Sequence, residues 1–132
     1  MNFQFKALAA TIFITFLAAC SNMPDVVTPS SDFVKISNGI LTSSYGKTMY
    51  TFDKDQIGSG KSECLSTCAD NWPPVYVEPG IKLSGDFASI TRSNGQKQLT
   101  YKGKPLYFFN KDQKAGDMTG DNLNNVWHVV RP

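Results

Sequence analysis

Two segments of the sequence share one pattern: "MYTFDKDQIG" at residues 49–58 and "LYFFNKDQKA" at residues 106–115, 57 residues further along the chain. Each contains Tyr-x-Phe-x-x-Asp, and each ends the pattern with Lys-Asp-Gln. A pattern that recurs in this way indicates an internal repeat. The repeat motif comprises Tyr50, Phe52, Asp55, Tyr107, Phe109 and Asp112.

The motif has the spacing of a short strand that ends in a turn. Its two aromatic residues point to the same face of a strand, so we expect each pair to form an aromatic ladder. The aspartate follows where the strand should end, and its carboxylate is expected to accept backbone N–H groups that hold the turn. Leu106 and Phe108 predict burial of the second strand on both faces, whereas Thr51 and Asp53 leave the first half-exposed.

The repetition extends to both sides of the motif. Upstream, Tyr45-Gly46-Lys47 parallels the "YKGK" run at 101–104, and downstream each copy reaches a tryptophan, Trp72 or Trp127. The repeats therefore cover about residues 41–77 and 97–130. Two such copies predict a pseudo-two-fold domain in which each half covers the apolar face of the other.

The fold class is predicted to be mainly β, as one small domain of short antiparallel strands with at most one or two short helical turns. Asn-Gly pairs at 38–39 and 94–95 are typical of tight hairpins, and residues 87–110 have the pattern of a three-stranded meander. Strands rich in β-branched and aromatic residues are expected at 33–37, 40–44, 47–52, 87–92, 97–101, 104–109 and 126–130.

The first 19 residues have the pattern of an export signal, because an uncharged run from Ala7 to Ala19 follows Lys6. The signal ends in Leu17-Ala18-Ala19-Cys20, which resembles a bacterial lipobox and implies lipidation of Cys20; the alternative is an ordinary signal peptide with a chance cysteine. Residues 20–32 then form a flexible tether, and residues 33–132 form the domain. This arrangement predicts a lipid-anchored protein of the bacterial cell envelope, and Ser21, by analogy with lipoprotein sorting, favours the outer membrane.

The cysteine count agrees with this interpretation. If lipid occupies Cys20, Cys64 and Cys68 remain as a pair in an oxidising compartment, where disulfides persist. We predict a local disulfide between them. The alternative is a redox or copper-binding pair, because thiolates favour soft metals.

Other candidates for chemistry are weak. His128, in a predicted strand, is interpreted as a packed or edge histidine, and no catalytic residue, metal site or cofactor is predicted. Asp53, Asp55 and Gly58 match three positions of a calcium loop, but position five is apolar and position twelve is Cys64. The chain has 13 lysines and arginines against 11 acidic residues without a basic stripe, which gives no support to nucleic-acid binding.

A polar loop, "GDMTGDNLNN" at 116–125, lies between the second motif and the second tryptophan. It is either a solvated turn or a recognition loop, because loops on a rigid scaffold often carry binding residues. Its candidate recognition residues are Asp117, Asp121, Asn122 and Asn124.

Several segments together resemble a known family: the two Y-x-[FWY]-x-x-D copies, "CLSTCADNWPP", "YKGKPLYFF" and "VWHVV". They resemble the bacterial predicted lipoproteins with the Yx(FWY)xxD motif, also called the secreted repeat of unknown function. The resemblance implies an envelope location and a repeated fold, and it implies no reaction. We therefore expect a non-catalytic binding or structural module at the outer membrane; the alternative is a periplasmic redox or copper-handling lipoprotein. Its expected partners are the membrane, through lipid, and a protein or other envelope component.

Overall fold

The computed structural model describes residues 33–132. The predicted signal peptide, the lipidation site Cys20 and the tether lie outside the described residues. The described part contains seven strands, one α-helix and one 3-10 helix: β1 Val34–Ser37, β2 Ile40–Ser43, β3 Tyr50–Phe52, α1 Thr67–Asn71, β4 Phe87–Thr91, β5 Lys97–Tyr101, β6 Lys104–Pro105, the 3-10 helix Leu123–Asn125 and β7 Trp127–Val129.

The predicted fold class is confirmed, because the strands are short and all of their pairings are antiparallel. They form three small sheets, β1-β2, β3-β7 and β4-β5-β6. The last of these is the predicted meander. The first hairpin turns at Asn38 and Gly39, which have φ angles of 50° and 76°, and glycine and asparagine tolerate this left-handed region best.

Several strands are shorter than the sequence predicts, and the difference is largest for the run expected at 104–109. The run expected at 104–109 pairs with its meander neighbour only over Lys104–Pro105. Beyond that point, Tyr107 lies between two other partners, with bridges to Tyr50 on one side and Pro74 on the other. Leu106 still donates its N–H to Leu99 of the meander, whereas Tyr107 is held by segments of the first repeat.

The two repeats exchange the segments that follow their tryptophans. Strand β7, from the second repeat, pairs with β3 of the first, with Val129 opposite Tyr50. In the reciprocal direction, Pro74 of the first repeat pairs with Tyr107 of the second. At the centre, the N–H of each motif tyrosine donates to the carbonyl of the other, at 2.8 and 2.9 Å. Each motif segment thus pairs with segments of the other repeat.

A second set of backbone contacts shows the same pseudo-two-fold relation. In each half, three residues from three segments donate to one another in a closed cycle of N–H···O=C bonds, 2.7 to 3.2 Å long. All six side chains are buried in one apolar cluster. The two cycles comprise Leu41, Val130 and Met49, and Leu99, Val75 and Leu106. One member of each cycle, Val130 or Val75, comes from the other repeat, so each half covers the other's apolar face.

Among residues 33–132, no helix has the length and apolar character needed to cross a membrane.

Candidate functional site

The motif tyrosines and aspartates pair between the repeats. The Tyr50 hydroxyl donates to Asp112 Oδ2 at 2.6 Å, and the Tyr107 hydroxyl donates to Asp55 Oδ2 at 2.5 Å. Both tyrosines are fully buried, and both aspartates are at least 91% buried. Each bond joins the tyrosine of one motif to the aspartate of the other. The spacing that the two motifs share therefore positions each tyrosine and aspartate to bind a residue of the other motif.

Each aspartate also closes the long loop that follows its motif. Asp55 Oδ1 accepts the backbone N–H of Glu63 at 2.6 Å, eight residues downstream. Asp112 Oδ1 accepts the backbone N–H of Thr119 at 3.0 Å and the hydroxyl of the same residue. The expectation that these carboxylates accept backbone N–H groups fits, but the donors lie in the distant part of the loop rather than in the tight turn beside the motif.

Burial shifts the pKa values of Asp55 and of both motif tyrosines. Desolvation raises the pKa of the Asp55 carboxyl, and the hydrogen bonds from Glu63 and Tyr107 act in the opposite direction. Desolvation, followed by the adjacent aspartate, raises the pKa of Tyr50 and of Tyr107 far above the ordinary value for tyrosine. Both hydroxyls are therefore held in the protonated form that can donate to a carboxylate.

Four rings from the two repeats stack into one column. The successive centroid distances are 4.2, 3.8 and 4.1 Å, and the central pair is nearly parallel, at 3°. The column runs Phe52, Trp127, Trp72, Phe109. The aromatic ladder expected within each motif is wrong, because Phe52 contacts Tyr107 and Trp127, both of the other repeat.

The disulfide marks the main difference between the two halves. Cys64 and Cys68 are bonded, as predicted, and the second repeat has no cysteine. The Cys64 carbonyl accepts a hydrogen bond from Arg92 Nη2 at 2.9 Å. Ser62, two residues earlier, places its Oγ 2.6 Å from the Tyr107 hydroxyl. The disulfide loop thus supports the pair formed by Tyr107 and Asp55.

Sequence reasoning missed two polar residues near the Tyr107–Asp55 pair, Arg92 and Gln98. Arg92 Nη1 donates to Gln98 Oε1 at 2.8 Å, and Gln98 Nε2 donates to the Leu106 carbonyl at 2.8 Å. Gln98 is completely buried. The available signal was a glutamine next to Leu99 in the predicted strand 97–101, and it does not reveal which residue the glutamine binds.

Two aspartates of the candidate recognition loop hold it to the chain segments on either side. Asp117 Oδ2 accepts the N–H groups of Gln113 and Lys114, which lower the pKa of the Asp117 carboxyl. Desolvation acts to raise the pKa of Asp121, but hydrogen bonds from the Val129 N–H and Arg131 outweigh it and lower that pKa. A recognition role for the loop stays a prediction.

Of the remaining candidates in this loop, Asn122 contacts His128. Its Nδ1 is 3.1 Å from Asn122 Oδ1, and its Nε2 is 2.8 Å from Asp53 Oδ2. Asn124 is exposed and has a φ angle of 53°. Of the calcium-loop candidates, Asp53 thus contacts His128 and Asp55 is buried against Tyr107. Among the described residues, no group of three or more His, Cys, Asp or Glu is placed to hold a metal ion.

An apolar groove between the first hairpin and the start of the meander was also missed. Its volume is about 520 Å³, with Val34 and Ile36 on one side and Phe87 on the other. Leu41, Tyr101 and Pro132 complete the apolar lining. Because these residues are far apart in the sequence, no local pattern predicts the groove.

Comparison with known proteins agrees with the repeated architecture. A family model described as a secreted repeat of unknown function matches the chain twice, at residues 34–76 and 88–131. No curated protein and no solved structure matches the chain. The two matches together cover more than half of the sequence and correspond to the two halves that exchange their tryptophan segments. The chain therefore belongs to the family of secreted repeats of unknown function.

Proposed function

We propose that this protein is a cell-envelope lipoprotein, anchored in the outer membrane by lipid on Cys20, whose folded domain is a non-catalytic binding or structural module. Residues 33–132 fold as the two interleaved repeats, and the tether links them to the anchor. The family description as a secreted repeat agrees with a location outside the cytoplasm. Its binding partner is a component of the envelope.

The observation that carries the non-catalytic assignment is the crossed pairing of the motif. Buried tyrosine and aspartate side chains can serve as acids or bases when they face a substrate. Here both hydroxyls and both carboxylates bond to one another and to neighbouring loops, at 2.5 to 3.0 Å. These bonds support a role for the repeat motif in holding the two halves together.

The alternative of a redox or copper-handling protein is less well supported. The two cysteines are joined to each other, and Cys64 is completely buried. Binding of a soft metal needs thiolates, so the pair would first have to be reduced. If the pair is structural, the protein purified under oxidising conditions has no reactive thiol at these positions and binds no copper.

The anchoring is tested by intact mass of the protein extracted from membranes. We expect a mature chain that begins at Cys20 and carries acyl groups, and Cys20→Ser should abolish both the cleavage and the lipid. Ser21→Asp, compared with the matched Ser21→Ala, should shift the protein from the outer to the inner membrane in a density gradient. An unmodified mature chain in the soluble fraction would refute the anchoring.

A further inference from the structure

The apolar groove lies along a free strand edge. Strand β1 pairs with β2 on one side and has no partner strand on the other within residues 33–132. Ile36, on this strand, lines the groove and is 66% exposed. Residues 84–87 form the opposite wall. A large apolar side chain beside an apolar groove indicates a surface that another molecule covers.

The groove is at the end of the domain that leads to the anchor. Phe33, the first described residue, directly precedes the wall residue Val34 and lines a small adjoining cavity. Twelve residues lie between Cys20 and Phe33, so thirteen steps from one Cα to the next separate them. Such a segment reaches about 45 Å when fully extended. A lipid on Cys20 therefore keeps this end of the domain within reach of the membrane surface.

The charges around the groove are mainly positive. Lys35 lines the groove, Lys82 lines the adjoining cavity, and the Lys102 ammonium lies 5.3 Å from the ring centre of the groove residue Tyr101. Among the described residues that line the groove, Asp86 is the one acid. The residues that line the groove and the adjoining cavity include two lysines and one aspartate, and Lys102 adds a third positive charge beside them, which favours an anionic surface.

We propose that this end of the domain docks on the membrane that holds its own anchor, with the three lysines against anionic phospholipid headgroups. Ile36 enters the boundary between headgroups and acyl chains, and the apolar groove accepts apolar lipid atoms. A lipid anchor together with a basic, partly apolar patch is the combination that gives stable peripheral attachment. The inference rests on the proposed lipidation of Cys20.

Hydrogen exchange of the complete lipoprotein tests this orientation. The protein is studied in detergent, in phosphatidylethanolamine vesicles, and in vesicles that also contain phosphatidylglycerol. We expect slower amide exchange at 34–37 and 84–87 in the anionic vesicles than in the other two. Each lysine should contribute about fivefold to docking. Lys35→Glu with Lys82→Glu should therefore remove the protection, whereas the matched Lys54→Glu with Lys111→Glu, outside the groove, should not.

A second variant pair tests the apolar contact. Ile36→Ser should weaken the protection, while Leu65→Ser, at a residue that is 54% exposed and lines no part of the groove, should leave it unchanged. Equal exchange in all three conditions, or equal losses in test and control variants, would overturn docking. If amide exchange at 34–37 and 84–87 were already slow in detergent, without phospholipid, the groove would have a polypeptide or another occupant. That result would also overturn docking on the membrane.

Failure of the docking proposal can be distinguished from failure of the proposed lipid anchoring. If intact mass shows no lipid on Cys20, the proposed function fails. The unanchored protein is then sedimented with preformed anionic vesicles. Binding that depends on Lys35 and Lys82 would sustain the basic face alone, and no binding would overturn it.

Discussion

Double-mutant cycles distinguish crossed pairing from pairing within a motif. Tyr107→Phe removes a hydroxyl that lies 2.5 Å from Asp55 Oδ2 inside the core. A hydrogen bond to a buried charged group stabilises a protein by about 1.5–3 kcal/mol. We expect Tyr107→Phe to lower the free energy of unfolding by that amount, and to couple with Asp55→Asn by about 1–3 kcal/mol. Coupling with Asp112→Asn, the aspartate of its own motif, should stay below about 0.5 kcal/mol.

The measurement is urea unfolding at neutral pH, followed by the fluorescence of the stacked Trp72 and Trp127. A loss of about 2 kcal/mol shifts the midpoint by roughly 1–2 M for a domain of this size, which is readily resolved. The mirror-image cycle, Tyr50→Phe with Asp112→Asn, should give a similar coupling because the bond is 2.6 Å long. Stronger coupling of Tyr107 to Asp112 than to Asp55 would refute the crossed arrangement.

Three further changes test other parts of the structure. Both motif tyrosines keep their protons in the folded protein, whereas a tyrosine in the unfolded chain loses its proton near pH 10. The tyrosines therefore stabilise the fold fully below about pH 10. Above that pH the free energy of unfolding falls by up to ~1.4 kcal/mol per pH unit for each tyrosine. The alkaline unfolding curve should flatten in the Tyr50→Phe, Tyr107→Phe double variant and stay unchanged in the exposed control Tyr45→Phe. Gly120→Ala should cost about 1–3 kcal/mol in thermal unfolding, because the added Cβ would lie 2.5 Å from Trp72 Cη2; an unchanged melting temperature would contradict this packing. Cys64→Ser with Cys68→Ser should lower the free energy of unfolding by about 2 kcal/mol, the value for a disulfide that closes a loop of five residues. A variant that fails to fold would show that the disulfide does more than close this loop.

Much of the architecture could be predicted from the sequence. The repeated motif indicated two related halves, and the Asn-Gly turns with alternating apolar residues indicated the hairpin and the meander. These signals are local, because turn chemistry and side-chain alternation act over a few residues. The structure confirms the mainly β fold and the reciprocal covering of the halves.

The pairing inside the site could not be predicted in the same way. Tyr50 and Asp55 are five positions apart in the sequence, yet Tyr50 contacts Asp112, which is 62 positions away. Whether a tyrosine binds the aspartate of its own motif or of the other motif depends on how the two motif segments are arranged in space. The two motifs have the same pattern, so the sequence does not distinguish these arrangements. The groove and the buried Gln98 were missed for the same reason, since their neighbours come from separate segments of the chain.

The exchange of segments between repeats also decides when the domain can fold. Strand β3, at residues 50–52, finds its partner in β7, at 127–129. In a chain that emerges from its N-terminus, Tyr50 can pair with Tyr107 first, but the side of the first motif that binds β7 stays unpaired until residues 127–129 have appeared. A product that stops before residue 127 lacks Trp127 and the strand that closes the first half. Residues 127–129 are thus required to close the first half, whereas the backbone cycle of the second half, which joins Leu99, Val75 and Leu106, needs no residue beyond 106.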